Sequence, residues 1–261
     1  MKPVTLITGA SAGIGAELAR VFAAHGHELV LVARRADRLA ALADAIAASG
    51  RPRPAVIAAD LERRDAVAAV AAELKARELE PANVVNNAGF GLLGPAASLD
   101  RDQQLAMIDL NVRVLTELSL AFVDSVERQR GGILNVASLA AFMPGPGMAV
   151  YYASKAYVLS FSEALHQEFR PRGIRVTALC PGPVPTEFQA RAGIGSRGMR
   201  SALTLSAGSV AQIGYDGFMR GQRVVIAGTG NRVVATLVRH IPHGILLPAL
   251  ERGTRGLADN S

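Results

Sequence analysis

Short runs of β-branched and apolar residues recur along the chain, each followed by a longer alanine-rich stretch with apolar positions at helical spacing. The runs are VTLIT (4–8), HELVLVA (27–33), RPAVIAA (53–59), ANVVNN (82–87), GILNVAS (132–138), IRVTALC (174–180) and RVVIAG (223–228). The intervening periodicity predicts helices near 13–25, 36–49, 63–79, 101–128, 150–170 and 208–220. Strands and helices alternating at this spacing imply βαβ units and a parallel sheet, hence a doubly wound α/β fold of about seven strands. The strands are almost continuously apolar, as expected for a sheet covered by helices on both faces. No repeat or low-complexity linker divides the chain, so residues 1–261 read as one domain.

Two segments break the pattern. Residues 139–149 carry Pro144, Gly145, Pro146 and Gly147, and residues 181–207 open with PGPVPTEF and continue through Gly193, Gly195 and Gly198. Both follow strand ends, where open parallel sheets bind ligands. The glycines of the second suggest a substrate lid over 184–207. The tail, 231–261, is basic and apolar, and Pro242 and Pro248 are expected to interrupt it.

The stretch TGASAGIG (8–15) holds Gly9, Gly13 and Gly15. Glycine costs roughly 0.5–1 kcal/mol relative to alanine inside regular structure, so such a stretch is a turn or a place of close approach. At a strand-to-helix junction it leaves helix N–H groups and the positive end of the helix dipole free for a pyrophosphate. The spacing is neither G-x-G-x-x-G nor a P-loop. It resembles the cofactor loop of the short-chain dehydrogenase/reductase superfamily, T-G-x-x-x-G-x-G.

The resemblance continues in order: NNAG at 86–89, Asn111 within a helix, Ser138 at a strand end, Tyr151-x-x-x-Lys155, and PGPVPT at 181–186. It implies a Rossmann-like fold and a nicotinamide cofactor held by Thr8, Gly9, Ser11, Gly13, Ile14, Gly15, Asn87, Ala88, Gly89, Pro181, Gly182, Val184 and Thr186, together with Tyr151 and Lys155. It also implies that Asn111, Ser138, Tyr151 and Lys155 are catalytic. Ser138 holds the substrate oxygen, and Asn111 holds a water that links Lys155 to solvent. Asp60 and Leu61 end the third strand, where the family sets an acid against adenine; an aspartate there also suits a helix N-cap.

Tyr151 and Lys155 are one helical turn apart and share a face. A free phenol titrates near pH 10, and a neighbouring ammonium is expected to lower that value and let the phenol exchange a proton with a carbonyl oxygen. Tyr152, three residues from Lys155, has an equally plausible spacing; the family pattern selects Tyr151.

An NAD enzyme of this architecture ends its second strand with an acid for the ribose hydroxyl. Here Ala33 occupies that place and Arg34 and Arg35 follow, while Asp37 is the nearest acid. A phosphate about 4 Å from an arginine gains on the order of 4 kcal/mol per charge pair at an effective dielectric near 20, before desolvation. NADP(H) is therefore expected.

Half of the 261 residues are apolar, and 28 Lys and Arg against 22 Asp and Glu give a net charge of +6. The basic residues are scattered without interleaved aromatics, which argues against a nucleic-acid surface. The five histidines show no metal-ligand spacing, so no metal is expected. The single cysteine, Cys180, reads as a small buried hydrophobe, and a reducing cytoplasm is the expected location. Leu139, Phe142, Met143 and Met148, with Phe188, Ile194, Met199 and Leu203, are expected to border an apolar pocket for a lipophilic ketone, aldehyde or 3-oxoacyl substrate. Arg191, Arg197 and Arg200 could meet an anionic group such as a phosphopantetheine arm, but read better as solvated lid charges. The tail could cover the site, join a subunit interface or touch an anionic membrane surface. By resemblance the long helices pair between subunits, implying a homodimer or homotetramer. The expected activity is hydride transfer between NADP(H) and a carbonyl or secondary alcohol. The alternative is a non-catalytic NADP-binding regulatory protein, which has no need of Ser138, Tyr151 and Lys155 together.

Overall fold

A computed structural model of the protein describes residues 1–194 and 203–258. Strands β1 (Lys2–Thr8), β2 (Leu29–Ala33), β3 (Ala55–Ala58), β4 (Leu79–Asn86), β5 (Gly132–Val136), β6 (Arg175–Cys180) and β7 (Val224–Ile226) form one sheet in the order β3-β2-β1-β4-β5-β6-β7. Every pairing is parallel. The strand order reverses between β1 and β4, which opens a crevice at their carboxyl ends.

The strands are apolar throughout because each face is a core. Leu6, Val84 and Ile133 point to one side, among the side chains of the helices α3 (Ala66–Ala76), α4 (Arg101–Ile108), α5 (Leu115–Ala121), α6 (Val123–Arg128) and α7 (Ala149–Phe169). Their neighbours Ile7, Val85 and Leu134 point to the other, against α1 (Gly13–Ala24), α2 (Ala36–Ala48) and α9 (Ala207–Met219). The period of two places successive side chains on opposite faces. Cys180 is fully buried, and burial pushes its thiol up to about 12.

Five elements differ from the sequence expectation. The helix expected over 63–79 is shorter, and β4 begins at Leu79, three residues before the expected start. Pro81 lies within β4 because the pairing with β1 shifts register between Val4 and Thr5, which absorbs the missing donor. The single helix expected over 101–128 is broken by a π-helical turn, Asp109–Val114, and again at Phe122. The irregular region 181–207 contains a short helix, α8 (Glu187–Ala192). The tail contains α10 (Thr229–Leu237) and α11 (His243–Ala258); Pro242 precedes α11, but Pro248 lies inside it and does not interrupt it. No helix among the described residues is long and apolar enough to cross a membrane.

Candidate active site

A cavity of about 790 Å³ follows the crevice at the carboxyl ends of the strands. Its floor is the glycine loop. The loop's glycines are required by packing against the next motif: a Cβ on Gly9 would lie 2.7 Å from Asn87 Nδ2, and one on Gly15 would lie 2.4 Å from both Asn87 Nδ2 and the Gly9 carbonyl oxygen. Gly9 and Gly13 also have φ of 65° and 57°, in the left-handed region that favours glycine. Thr8 Oγ1 accepts from the backbone N–H of Asn87 (3.0 Å) and Ala88 (3.1 Å), and Asn87 Nδ2 donates to the Thr8 carbonyl at 3.0 Å. Thr8 and Gly15 therefore stand behind the cavity wall and fix its shape. Gly9, Ser11, Gly13, Ile14, Asn87, Ala88 and Gly89 line it.

The N-terminus of α1 is open. Its N-cap, Ala12, offers no side-chain acceptor, no acid sits in the first turn, and Ala12, Gly13 and Ile14 line the cavity. Four N–H groups at a helix start need partners, and an anion supplies them. These residues fit the pyrophosphate of a dinucleotide.

At one end of the cavity lie Arg34 and Arg35, just past Ala33, with Asp60, Leu61 and Glu62. Arg34 Nη1 reaches Glu62 Oε1 at 3.3 Å, as does Arg191 Nη2 at 3.5 Å. The Arg191 guanidinium also lies 4.2 Å over the Phe90 ring, so it is held rather than freely solvated. Arg35 donates to Ser11 Oγ from Nε (3.3 Å) and Nη2 (3.0 Å), and from Nη1 to Glu187 Oε2 (2.7 Å). Arg38 also binds Glu187, and the two guanidiniums hold its carboxyl below the usual range. Asp60 Oδ1 accepts from the Glu62 N–H at 3.2 Å; α3 starts only at Ala66, so Asp60 is not its cap. Asp37 is exposed in the first turn of α2 and does not line the cavity.

The other end gathers Ser138, Tyr151 and Lys155. Ser138 caps the 3₁₀ turn Leu139–Phe142 at the end of β5 and accepts from the Ala140 N–H at 3.1 Å. Lys155 is 5% exposed, and its Nζ donates to the Val136 carbonyl at 2.9 Å. Gly89 admits this arrangement: a Cβ there would lie 2.8 Å from Asn111 Oδ1 and 3.5 Å from Lys155 Nζ. Asn111 is fully buried behind the wall at the π-helical turn. It accepts from the Phe90 N–H at 3.1 Å and donates to the Phe90 carbonyl and Ser154 Oγ, both at 3.0 Å. These tertiary bonds satisfy an asparagine that a regular helix would disfavour.

The expected acidification of Tyr151 by Lys155 is not met in this geometry. Burial pushes the phenol up to about 12 and outweighs the opposing hydrogen bond with Ser138; Tyr152 adds to the rise. The ammonium lies 5.9 Å from the Tyr151 ring centre, and burial pushes its own pKa down to about 8. Desolvation disfavours the charged form of each group.

Around Tyr151 the wall is apolar. Phe188 packs against it with ring centres 5.4 Å apart and Tyr152 at 6.1 Å. Leu139, Met143, Met148, Ile194 and Val234 complete this end. Phe142 turns away under the Arg239 guanidinium, and Leu203 does not line the cavity. Met199, Arg197, Arg200, Gly195 and Gly198 lie outside the described residues. Pro181, Gly182, Val184 and Thr186 form the wall between the two ends. Gly182 presses on Asn231, whose Nδ2 donates to the Ala227 carbonyl at 2.7 Å, and this contact sets α10 behind the loop. Sequence reasoning missed Asn231, Glu62, Glu187, Arg38 and Gln189. A signal existed only for the last: Thr186-x-x-Gln189 has capping-box spacing. No group of acidic, histidine or cysteine side chains among the described residues could hold a metal ion.

Comparison with known proteins agrees with this geometry. The family described as short chain dehydrogenase matches residues 3–195. Sulfoacetaldehyde reductase of Chromohalobacter salexigens is 39% identical over 191 residues, 72% of this chain and 75% of that protein. A short-chain dehydrogenase from Sphingobium yanoikuyae in complex with NADPH superposes with a TM-score of 0.79 at 33% identity, covering 99% of this chain and 96% of that one. The bulky-bulky ketone specific alcohol dehydrogenase from Comamonas testosteroni superposes with a TM-score of 0.75 at 29% identity, covering 100% and 95%. The chain belongs to the short chain dehydrogenase family of oxidoreductases.

Proposed function

We propose that this chain transfers a hydride between NADP(H) and a lipophilic carbonyl compound or the corresponding secondary alcohol. The observation that carries the reading is one continuous cavity with arginines at one end, an open helix N-terminus in the middle, and Ser138, Tyr151 and Lys155 at the other. The bound reduced nicotinamide supplies the hydride. The chain's own residues handle the proton. With a pKa near 12, Tyr151 is protonated at neutral pH and donates to the carbonyl oxygen of the substrate. Ser138, which lines the same end of the cavity as Tyr151, donates to the same oxygen, and such a placed donor is worth several kcal/mol where charge develops. Lys155, charged below about pH 8, returns a proton to the phenolate and regains one from solvent by way of a water held at Asn111.

Arg34 and Arg35 in place of an acid after β2 support NADP(H), as does the NADPH bound to the Sphingobium protein. The apolar wall supports a lipophilic substrate. The Chromohalobacter relative acts on a small sulfonate-bearing aldehyde, but here, among the described residues, the cation at the Tyr151 end is Lys155, which is bonded to the Val136 carbonyl, and Arg191 is engaged by Glu62 and Phe90. The Comamonas enzyme, specific for bulky-bulky ketones, is the better guide to substrate size. The test is steady-state turnover against bulky ketones, aldehydes, 3-oxoacyl thioesters and sulfoacetaldehyde with each reduced nucleotide. The expected result is kcat/KM at least about tenfold higher for a bulky ketone than for sulfoacetaldehyde, and for NADPH than for NADH. The reverse order overturns the corresponding half of the reading, and binding of NADPH with no turnover of any of these compounds overturns the enzymatic assignment.

A further inference from the structure

The acid missing after β2 reaches the same arginines from the opposite side of the cavity. Glu187 is the first residue of α8, 152 positions along the chain from Arg35, and its two oxygens engage Arg35 and Arg38. It lines the cavity together with Arg34 and Arg35. The Arg35 guanidinium is fixed on both sides, with Nε and Nη2 on Ser11 of the glycine loop and Nη1 on Glu187. The cationic surface on which a 2′-phosphate would rest thus already carries a carboxylate.

We propose that Glu187 is a specificity-determining residue that restrains the preference for NADP over NAD by competing with the 2′-phosphate for Arg35 and Arg38. The inference rests on the NADP(H) reading above and deepens it. A 2′-phosphate approaching Arg35 meets the repulsion of a carboxylate already bonded to that guanidinium, whereas a 2′-hydroxyl meets no such charge and can donate to it. Glu187 makes no direct bond to the glycine loop or to α1 and meets the loop only through the Arg35–Ser11 contact, which Arg35 keeps through Nε and Nη2 when the charge at position 187 is removed. The helix does not depend on it either, because Thr186 and Gln189 cap α8 and the Glu187 side chain is 52% exposed. Glu187→Gln therefore removes the charge and leaves the cap.

Calorimetric titration of the full chain with 2′,5′-ADP and 5′-AMP isolates the phosphate. Glu187→Gln should raise the ratio of 2′,5′-ADP to 5′-AMP affinity about five- to tenfold, chiefly through tighter 2′,5′-ADP binding. Asp37→Asn removes an equal charge from the start of α2, the helix that carries Arg38, at a side chain outside the cavity, and should change the ratio less than about twofold. A Glu187→Gln ratio that stays constant or falls overturns the proposal, as does an equal rise in Asp37→Asn, which would reduce the effect to net charge. Failure of the underlying reading looks different: wild-type protein binds 2′,5′-ADP no more tightly than 5′-AMP, whatever Glu187 does to the ratio.

Discussion

Two of the turns from strand to helix beside the cavity, from β1 into α1 and from β6 into α8, treat their helix starts in opposite ways. The first turn carries Gly9 and Gly13 with positive φ and ends in an N-cap, Ala12, that offers no acceptor. The second carries a complete capping box, with Phe188 N–H on Thr186 Oγ1 at 3.3 Å and Thr186 N–H on Gln189 Oε1 at 2.9 Å. The first leaves its donors to a ligand, and the second satisfies them itself. A helix start beside a cavity is an anion site only where its own chain has not filled it. The two turns accordingly serve different ends: α1 turns its uncapped start to the cavity, while α8 presents Phe188 to Tyr151 and Glu187 to the arginines.

The sharpest separation of the two ends comes from Tyr151→Phe. Removing the phenolic hydroxyl should lower kcat by about 10²–10⁴ and leave NADPH affinity unchanged within about twofold, since nothing on the α1 side depends on it. Tyr152→Phe should keep kcat within a few-fold of wild type. Single-turnover rates with bulky ketone, set beside fluorescence titration of NADPH, read both quantities. Loss of binding in Tyr151→Phe, or loss of kcat in Tyr152→Phe, would break the division.

Lys155→Met acts next. Burial lowers the Lys155 pKa from 10.5 to about 8, so between these values the unfolded chain holds more protons than the folded one, and stability rises with pH. Tyr151 works oppositely. Its pKa is raised from 10.0 to about 12, so stability falls over that window. Lys155→Met should flatten the rise above pH 8 and leave the fall above pH 10. Denaturant titrations at successive pH values measure both limbs. An unchanged rise in Lys155→Met would mean that Lys155 is not desolvated.

On the α1 side, Gly15→Ala tests whether the glycines answer to packing as well as to a ligand. The added Cβ meets both the Asn87 side chain and the Gly9 backbone at 2.4 Å, so one must move. Overpacking of this kind costs about 1–3 kcal/mol, and the displaced loop should weaken NADPH binding by about tenfold. A melt and a titration on the same preparation give both values; full affinity would show that Gly15 does not shape the loop.

What could be read from the letters follows from how far each interaction reaches. The seven apolar runs and the glycines at 9, 13 and 15 are local statements, and all seven strands stand where such runs are. Tyr151 and Lys155 share a wall because a helical turn brings them together. Asn111 was legible as a residue that does not suit a helix, but the π-helical turn depends on bonds to Phe90 and Ser154, 21 and 43 positions away. The pairing of Glu187 with Arg35 spans 152 positions and has no local pattern. The direction of the Tyr151 shift was misjudged because spacing reports a neighbouring charge and says nothing of desolvation. Pro248 misled because a single proline removes one donor, while α11 continues on either side of it.

The smallest expected effect lies in the turn that fills itself. Thr186→Ala deletes the side-chain acceptor for the Phe188 N–H and leaves the Gln189 side chain bonded to the backbone N–H of residue 186. Loss of an N-cap threonine costs about 1 kcal/mol, and half of this box survives, so the stability loss should stay near or below that value. Thr186 also touches the glycine loop: a Cβ on Gly13 would lie 3.1 Å from Thr186 Cγ2, so the methyl group sits directly over the turn into α1. Thr186→Ser keeps the hydroxyl and removes that methyl. If the cap matters to α8 alone, Thr186→Ser recovers the stability lost in Thr186→Ala while NADPH affinity stays constant in both. A drop in affinity shared by the two variants would instead show that the second turn holds the first one open through the methyl group.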